Sequence, residues 1–110
     1  MRVHLIKQQT IEKYCANQAK SIPAFRHWIK KLSYADWNEP GDMKRTFNSV
    51  DSLGDGSNRF IFNVGGNHYR VLSKYVFGKR KVHLFICWLG THAEYDKLCD
   101  KGVQYVINKY

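Results

Sequence analysis

Arg70, Lys74, His92 and Tyr95 are the side chains of this 110-residue chain whose chemistry best suits a phosphodiester. The guanidinium of Arg70 is a planar fork that can hold two non-bridging phosphate oxygens and stabilise the charge that develops on them. Lys74, two same-face positions further along a strand, supplies a second cation. His92 falls at the start of a helix, where unpaired amides favour an anion, and imidazole ordinarily exchanges its proton near neutral pH. Tyr95, one turn later, suits stacking on a base or orienting a phosphate. Taken singly, an Arg on a strand is usually a solvated edge residue and a lone His at a helix start a surface one. Their joint placement on one sheet face makes them a candidate site.

Other chemistries lack their residues. The sequence contains no Walker A loop, no Gly-x-Gly-x-x-Gly after a strand and no Gly-x-Ser-x-Gly elbow, so nucleotide-fold and esterase readings find no support. His4, His27, His68, His83 and His92 show no i, i+4 pairing, and no Cys/His cluster has zinc spacing, so no metal is expected. Cys15, Cys87 and Cys99 form an odd set without a Cys-x-x-Cys pair; they read as small hydrophobes in a reducing compartment rather than a disulfide framework.

Charge points to a polyanion. The net charge is +9, and the excess is not spread evenly: residues 59–81 carry six cations and no anion, whereas 36–58 carry two cations and five anions. In a hairpin the six can converge on one face, which makes Arg59, His68, Lys79, Arg80 and Lys81 expected contacts to such a polyanion beside Arg70 and Lys74. The bland alternative is a solvated surface, and the histidines and aromatics interleaved among the charges argue against it.

The elements that must position these residues can be read from periodicity. Val3–Ile6 is a short β-prone stretch. Thr10 is the expected N-cap of a helix reaching Lys20, with Ile11, Tyr14, Cys15 and Ala19 at helical spacing. Ile22, Phe25, Ile29 and Leu32 form a second stripe, with Pro23 in its first turn. Met43 and Phe47 lie one turn apart in a short third helix, and 51–58 is rich in turn formers and reads as a loop. The period then becomes alternating. Phe60, Phe62 and Val64 share a face, Gly65-Gly66 predicts a two-residue turn, and Asn67–Phe77 is the return strand. Val82–Leu89 is apolar on both faces except for His83, and so central. Thr91-His92-Ala93-Glu94 fits a capping box that opens a helix from His92, ending at Gly102. The tail after it is β-prone and leaves open whether it adds an edge strand.

At 110 residues the chain reads as one domain, 1–110, of α+β class. The N-terminal strand and two to three helices pack on one face of a largely antiparallel sheet with a short C-terminal helix, and the other face is left partly open. Its longest apolar run, Leu84–Leu89, is far short of a membrane span, and the N-terminus lacks a signal-peptide core, so a cytoplasmic protein is expected. Trp28 and Trp37 stand among apolar positions that so small a core need not fully bury, so they read as anchors for a protein partner, the alternative being that both are simply core.

The stretches Ala35-Asp36-Trp37, Asn58 to Arg70 and above all Gly90-Thr91-His92-Ala93-Glu94-Tyr95-Asp96-Lys97 resemble the HigB toxins of type II toxin-antitoxin systems, within the RelE/ParE superfamily. The resemblance covers about residues 2–100. It implies an endoribonuclease that cuts mRNA in the ribosomal A site, and a helix-turn-helix antitoxin of the HigA type as partner, the free toxin being a monomer. It implies metal-independent transesterification, in which the RNA 2′-OH attacks the adjacent phosphate and no cofactor is needed. Carried over by position, Arg70 holds the phosphate and His92 protonates the leaving 5′ oxygen. Lys74 becomes general base or charge stabiliser, and Tyr95 a stacking or orienting group. The chain has histidine where relatives often have arginine, which leaves the general base open. Within the same superfamily the fold also serves non-nucleolytic gyrase inhibitors, and a plain RNA-binding module is a third reading.

Overall fold

A computed structural model describes residues 1–54 and 56–110. Strand β1 (Arg2–Ile6) leads directly into helix α1 (Gln8–Asn17). The helix starts before the expected cap. Thr10 is buried inside its first turn, with its N–H donating to the Lys7 carbonyl at 3.1 Å, and Lys7 holds the cap position without a side-chain bond. Gln8 and Gln9, good helix formers, carry the helix outward. It also stops short of Lys20, passing into a 3-10 turn over Ala19–Ser21. Helix α2 (Ile22–Tyr34) follows the expected stripe, with Pro23 in its first turn and Phe25, Trp28 and Leu32 buried. A 3-10 turn (Pro40–Asp42) and one turn of helix, α3 (Met43–Thr46), complete the helical half. Asp42 accepts from the Asn38 and Glu39 amides at 2.8 and 3.3 Å, and these bonds hold its carboxyl below the usual carboxylate value.

The sheet comprises β1, β2 (Asp51–Ser52), β3 (Arg59–Val64), β4 (Tyr69–Phe77) and β5 (Lys81–Thr91) in the order β1-β5-β4-β3-β2. All neighbours are antiparallel except β1 and β5. The expected loop over 51–58 thus begins as a strand, Asp51 and Ser52 pairing with Ile61 and Phe60; Asp55, within the same loop, lies outside the described residues. The β3–β4 turn is longer than two residues. Val64 pairs with Tyr69, so Asn67 and His68 belong to the turn rather than to the strand. Gly65 and Gly66 both have positive φ, and a Cβ on Gly65 would lie 2.9 Å from the Ala24 Cβ on α2, so helix and turn meet at a glycine.

One irregularity arranges the outer face. Leu72 pairs with Trp88 but Ser73 pairs with Ile86, leaving Cys87 as an extra residue without a ladder partner. This bulge turns Cys87 and Trp88 toward the same side of the sheet, where simple alternation would separate them.

Helices α1 and α2 cover the inner face, in a core that includes Phe25, Trp28, Trp37, Phe62, Val71 and Leu84. Phe62 meets Trp28 and Phe47 edge-on, with ring centroids at 5.4 and 5.2 Å. Trp28 and Trp37 are 2% and 1% exposed, so neither anchors a partner as the sequence predicts. The aromatic cluster absorbs Trp28, and Trp37 donates its Nε1–H to Thr46 Oγ1 at 2.9 Å. Fully burying each large side chain of this kind stabilises the fold by roughly 1.5–3 kcal/mol, which is why even a small core retains them.

The outer face is more covered than the element order predicts. Helix α4 (His92–Asp100) and the tail lie over it, and Ile61, Leu72, Cys87, Trp88 and Leu98 form a second cluster with Tyr95, Val103 and Ile107. The tail adds no edge strand. Arg59 Nη1 donates to the carbonyls of Ile107 at 2.6 Å and Gln104 at 3.2 Å, and the Lys109 amide donates to the Cys87 carbonyl at 2.8 Å, taking up an acceptor that the bulge leaves free. Cys15 and Cys87 are buried, Cys99 is half-buried, and all three are free thiols. Among the described residues no helix is long and apolar enough to cross a membrane.

Candidate functional site

Strand β5 runs through Gly90 to Thr91, and there the chain turns into α4. Thr91 Oγ1 accepts from the Glu94 amide at 3.2 Å, and Glu94 Oε1 accepts from the Thr91 amide at 2.8 Å, the expected capping box. The box fixes His92 as the first helical residue. Its amide donates to the His68 carbonyl at 2.9 Å, tying the helix start to the β3–β4 turn. Among the described residues, hydrogen bonds at this corner thus leave only the Ala93 amide of the first turn without a protein acceptor. The expected pull of the helix amides on an anion is correspondingly weakened, because the chain's own acceptors occupy them.

Arg70 supplies the positive charge instead. It pairs with Gly90 across the β4–β5 ladder and is 7% exposed. Its Nη2 donates to Asn67 Oδ1 at 2.7 Å and its Nη1 to the Tyr69 carbonyl at 3.0 Å. No carboxylate approaches it within ion-pair distance among the described residues. A buried guanidinium without a counter-ion is costly, and three of its five N–H donors remain for a ligand, so the arrangement is prepared for an anion. Gly90 is required opposite it: a Cβ there would fall 2.7 Å from Trp88 Cη2 and 3.0 Å from Glu94 Oε1.

Two further candidate side chains, His92 and Tyr95, stand at the same corner. His92 is half exposed, with Nε2 at 3.5 Å from Asp96 Oδ2 one turn on, and its Nδ1 is shut off from solvent without a partner. With Nδ1 closed to solvent, the exposed part of the ring, on which Nε2 faces Asp96, is what a ligand can reach. Tyr95 is half-buried with its ring centroid 5.9 Å from that of Trp88. Burial, with the Cys99 thiol next in effect, pushes its phenol above the usual range, while the nearby Arg70 charge opposes the shift; the phenol stays a protonated hydrogen-bond donor.

The other expected residues separate. His68 alone of these reaches the corner, its carbonyl accepting from the His92 amide. Lys74 lies four residues along β4 from Arg70, about 13 Å at the rise of a strand, opposite Arg59 in the ladder. Arg59 is buried and anchors the tail. Lys79, Arg80 and Lys81 lie at the β4–β5 turn, at the end of the hairpin away from His92, roughly 26 Å along the strand. Sequence reasoning missed Asn67, Asp96 and Trp88. Asp96 was readable as the i+4 neighbour of His92, and Asn67 as a turn residue three before Arg70; nothing in the sequence announces the bulge that brings Trp88 to this face. Among the described residues no group of three His, Cys, Asp or Glu side chains is arranged to hold a metal ion.

Residues 22–98 match the family model for the HigB toxin, described as the RelE-like toxic component of a toxin-antitoxin system. Over 96 residues the chain is 25% identical to the mRNA interferase HigB of Escherichia coli O6:H1, spanning 87% of this chain and 91% of that protein. It is 32% identical over 98 residues to the mRNA interferase toxin HigB of Escherichia coli K12, spanning 86% and 88%, and equally similar to the mRNA interferase HigB of Shigella flexneri.

Proposed function

The chain belongs to the HigB toxin family, the RelE-like toxic component of a toxin-antitoxin system, and from that premise we propose that it is an mRNA interferase whose reaction centre is Arg70, His92 and Tyr95. The observation that carries this reading is the buried, carboxylate-free guanidinium of Arg70 held at the same corner as the His92 imidazole by the His92 N–H to His68 carbonyl bond. Arg70 binds the scissile phosphate and stabilises the charge that gathers on its non-bridging oxygens. The RNA 2′-OH attacks phosphorus and the bond to the 5′ oxygen breaks, leaving a 2′,3′-cyclic phosphate and a 5′-OH. His92 gives its proton to the leaving oxygen, with Asp96 orienting the ring. His68, the second imidazole at this corner, accepts the proton of the 2′-OH. Tyr95, kept protonated, donates to the phosphate or packs against a base with Trp88. Lys74 is too far along the strand to share a proton with this centre.

The centre is small and has few catalytic groups, so positioning by the ribosomal A site supplies much of its geometry. The partner that silences it is a helix-turn-helix antitoxin of the HigA type. One transcript incubated with purified toxin, with and without translating ribosomes, tests the reading by its mapped 5′ ends and their chemistry. Rapid cutting of translated message to cyclic-phosphate ends is expected. Equal rates with and without ribosomes overturn ribosome dependence, and intact RNA in both overturns the nuclease in favour of a gyrase-binding or plain RNA-binding module.

A further inference from the structure

At the other end of the outer face, beneath the last residues of the tail, a pocket of about 440 Å3 is lined by Lys7, Arg59, Lys74, Phe85, Asn108 and Tyr110, among others. Among the described residues no Asp or Glu lines it. Arg59 is 8% exposed, and no carboxylate comes within ion-pair distance of it among the described residues. Its Nη1 is taken up by two tail carbonyls, which satisfy hydrogen bonds but carry no charge, and its Nε and Nη2 find no protein acceptor among the described residues. A buried cation left uncompensated in this way calls for an anion. Lys74 is exposed at the same place. The Cys87 thiol in the pocket wall is pushed up by burial while Arg59 and Lys74 both pull it down, so the two charges converge on one point.

The apolar lining narrows the class of anion. Phe85 is 37% exposed and Tyr110 44%, so two aromatic rings are accessible beside the cations. Cations tracking a backbone with ring faces for its bases are the means by which single-stranded nucleic acid is held without sequence preference. Lys74 and Arg70 stand on one face of one strand, on either side of buried Leu72, so a polynucleotide seated at Arg70 and passing over the covering tail can bring a phosphate further along to the pocket. Asn108 and Tyr110 lie beyond residue 98, where the family match ends, so this wall is not implied by the family.

We propose that this pocket is a second RNA subsite, holding a phosphodiester that flanks the one being cut on Arg59, Lys74 and Lys7, with a base against Phe85 or Tyr110. The inference rests on the RNA-cleaving reading of the Arg70 centre and adds a binding function at a separate place. It assigns Lys74 a role in holding the strand and none in proton transfer.

The test is the affinity of a fluorescently labelled, single-stranded 2′-O-methyl oligonucleotide, which lacks the attacking hydroxyl, measured by anisotropy across a salt series. Lys74→Gln and Lys7→Gln each weaken binding several-fold and lower the salt slope by about one, and Lys74→Arg restores both. Lys74 is exposed, so its replacement leaves packing intact, whereas replacing Arg59 would release the tail. Unchanged binding by both lysine variants, with Arg70→Ala weakened, overturns the subsite and leaves the reaction centre standing. Unchanged binding by all three variants overturns the RNA reading and the subsite with it. If the lysine variants instead weaken only the binding of purified antitoxin, the pocket is a protein contact and the proposal fails.

Discussion

Arg70 and Arg59 lie on neighbouring strands of one sheet, on the same face, and both are buried without a carboxylate partner among the described residues. Arg70 is held by Asn67 and by the carbonyl of Tyr69, and it stands where a capped helix delivers His92. Arg59 is held by carbonyls of the tail and stands beside Lys74, with no histidine lining its pocket. An unpaired buried cation therefore marks a place for an anion at both ends, but a group that can move a proton is present at only one. On the reading proposed above, the difference separates a reaction centre from a binding subsite on one face of the sheet.

The comparison breaks first at His92. His92→Gln keeps hydrogen bonding but removes proton transfer, so RNA cleavage falls by roughly 10²–10⁴ while the melting temperature holds. Full activity in the folded variant would place the acid elsewhere. Arg70→Ala comes next, with a loss of roughly 10²–10³ in single-turnover rate, since it removes the main donor to the developing charge. Arg70→Lys recovers little of this, because an ammonium cannot reproduce the fork; recovery to near wild-type rate would reduce Arg70 to a point charge like Lys74.

A smaller effect is expected at Gly90. Its Ala variant forces a methyl group to within 2.7 Å of the Trp88 ring, at a cost of about 1–3 kcal/mol in thermal or denaturant unfolding, and it disturbs the cap that sets His92. Unchanged stability and activity would mean that the indole moves aside freely and does not define the site. The smallest effect is a titration. Tyr14 is pushed up to about 12, mainly by burial, and Tyr95 is raised as well. The unfolded chain loses these protons near its ordinary phenol value of 10.0 and the folded chain does not, so stability is fully present below that pH and declines as pH rises toward 12. Ultraviolet titration should show these two phenols ionising after the exposed ones; ionisation of all tyrosines together near pH 10 would contradict the burial of Tyr95 beside Arg70.

The parts of the molecule that were legible from sequence are those set by local periodicity and capping. The Phe60-Phe62-Val64 alternation, the α2 stripe and the Thr91–Glu94 box each specify their element by contacts within a few residues, and the structure contains all three. What escaped was set by distant contacts. Trp28 and Trp37 find space in an aromatic cluster assembled from α2, β3 and the α3 segment, which no single stretch reveals. The tail's course depends on Arg59, more than forty residues earlier, and on a bulge at Cys87 that no glycine signals. The six cations of 59–81 illustrate the limit best. Alternation places Arg59, Arg70 and Lys74 on one face, but only the register shows that Lys79, Arg80 and Lys81 lie at the far turn, and only packing shows that two of the arginines are buried.

The division of labour at the Arg70 end is tested most directly by changing the leaving group. A substrate in which the scissile 5′ oxygen is replaced by sulfur carries a leaving group that needs no proton, so the task assigned to His92 disappears while that of Arg70 remains. The account predicts that His92→Gln cleaves this substrate at close to the wild-type rate and that Arg70→Ala remains slow. A His92→Gln defect that persists in full on the sulfur substrate would contradict His92 as the general acid.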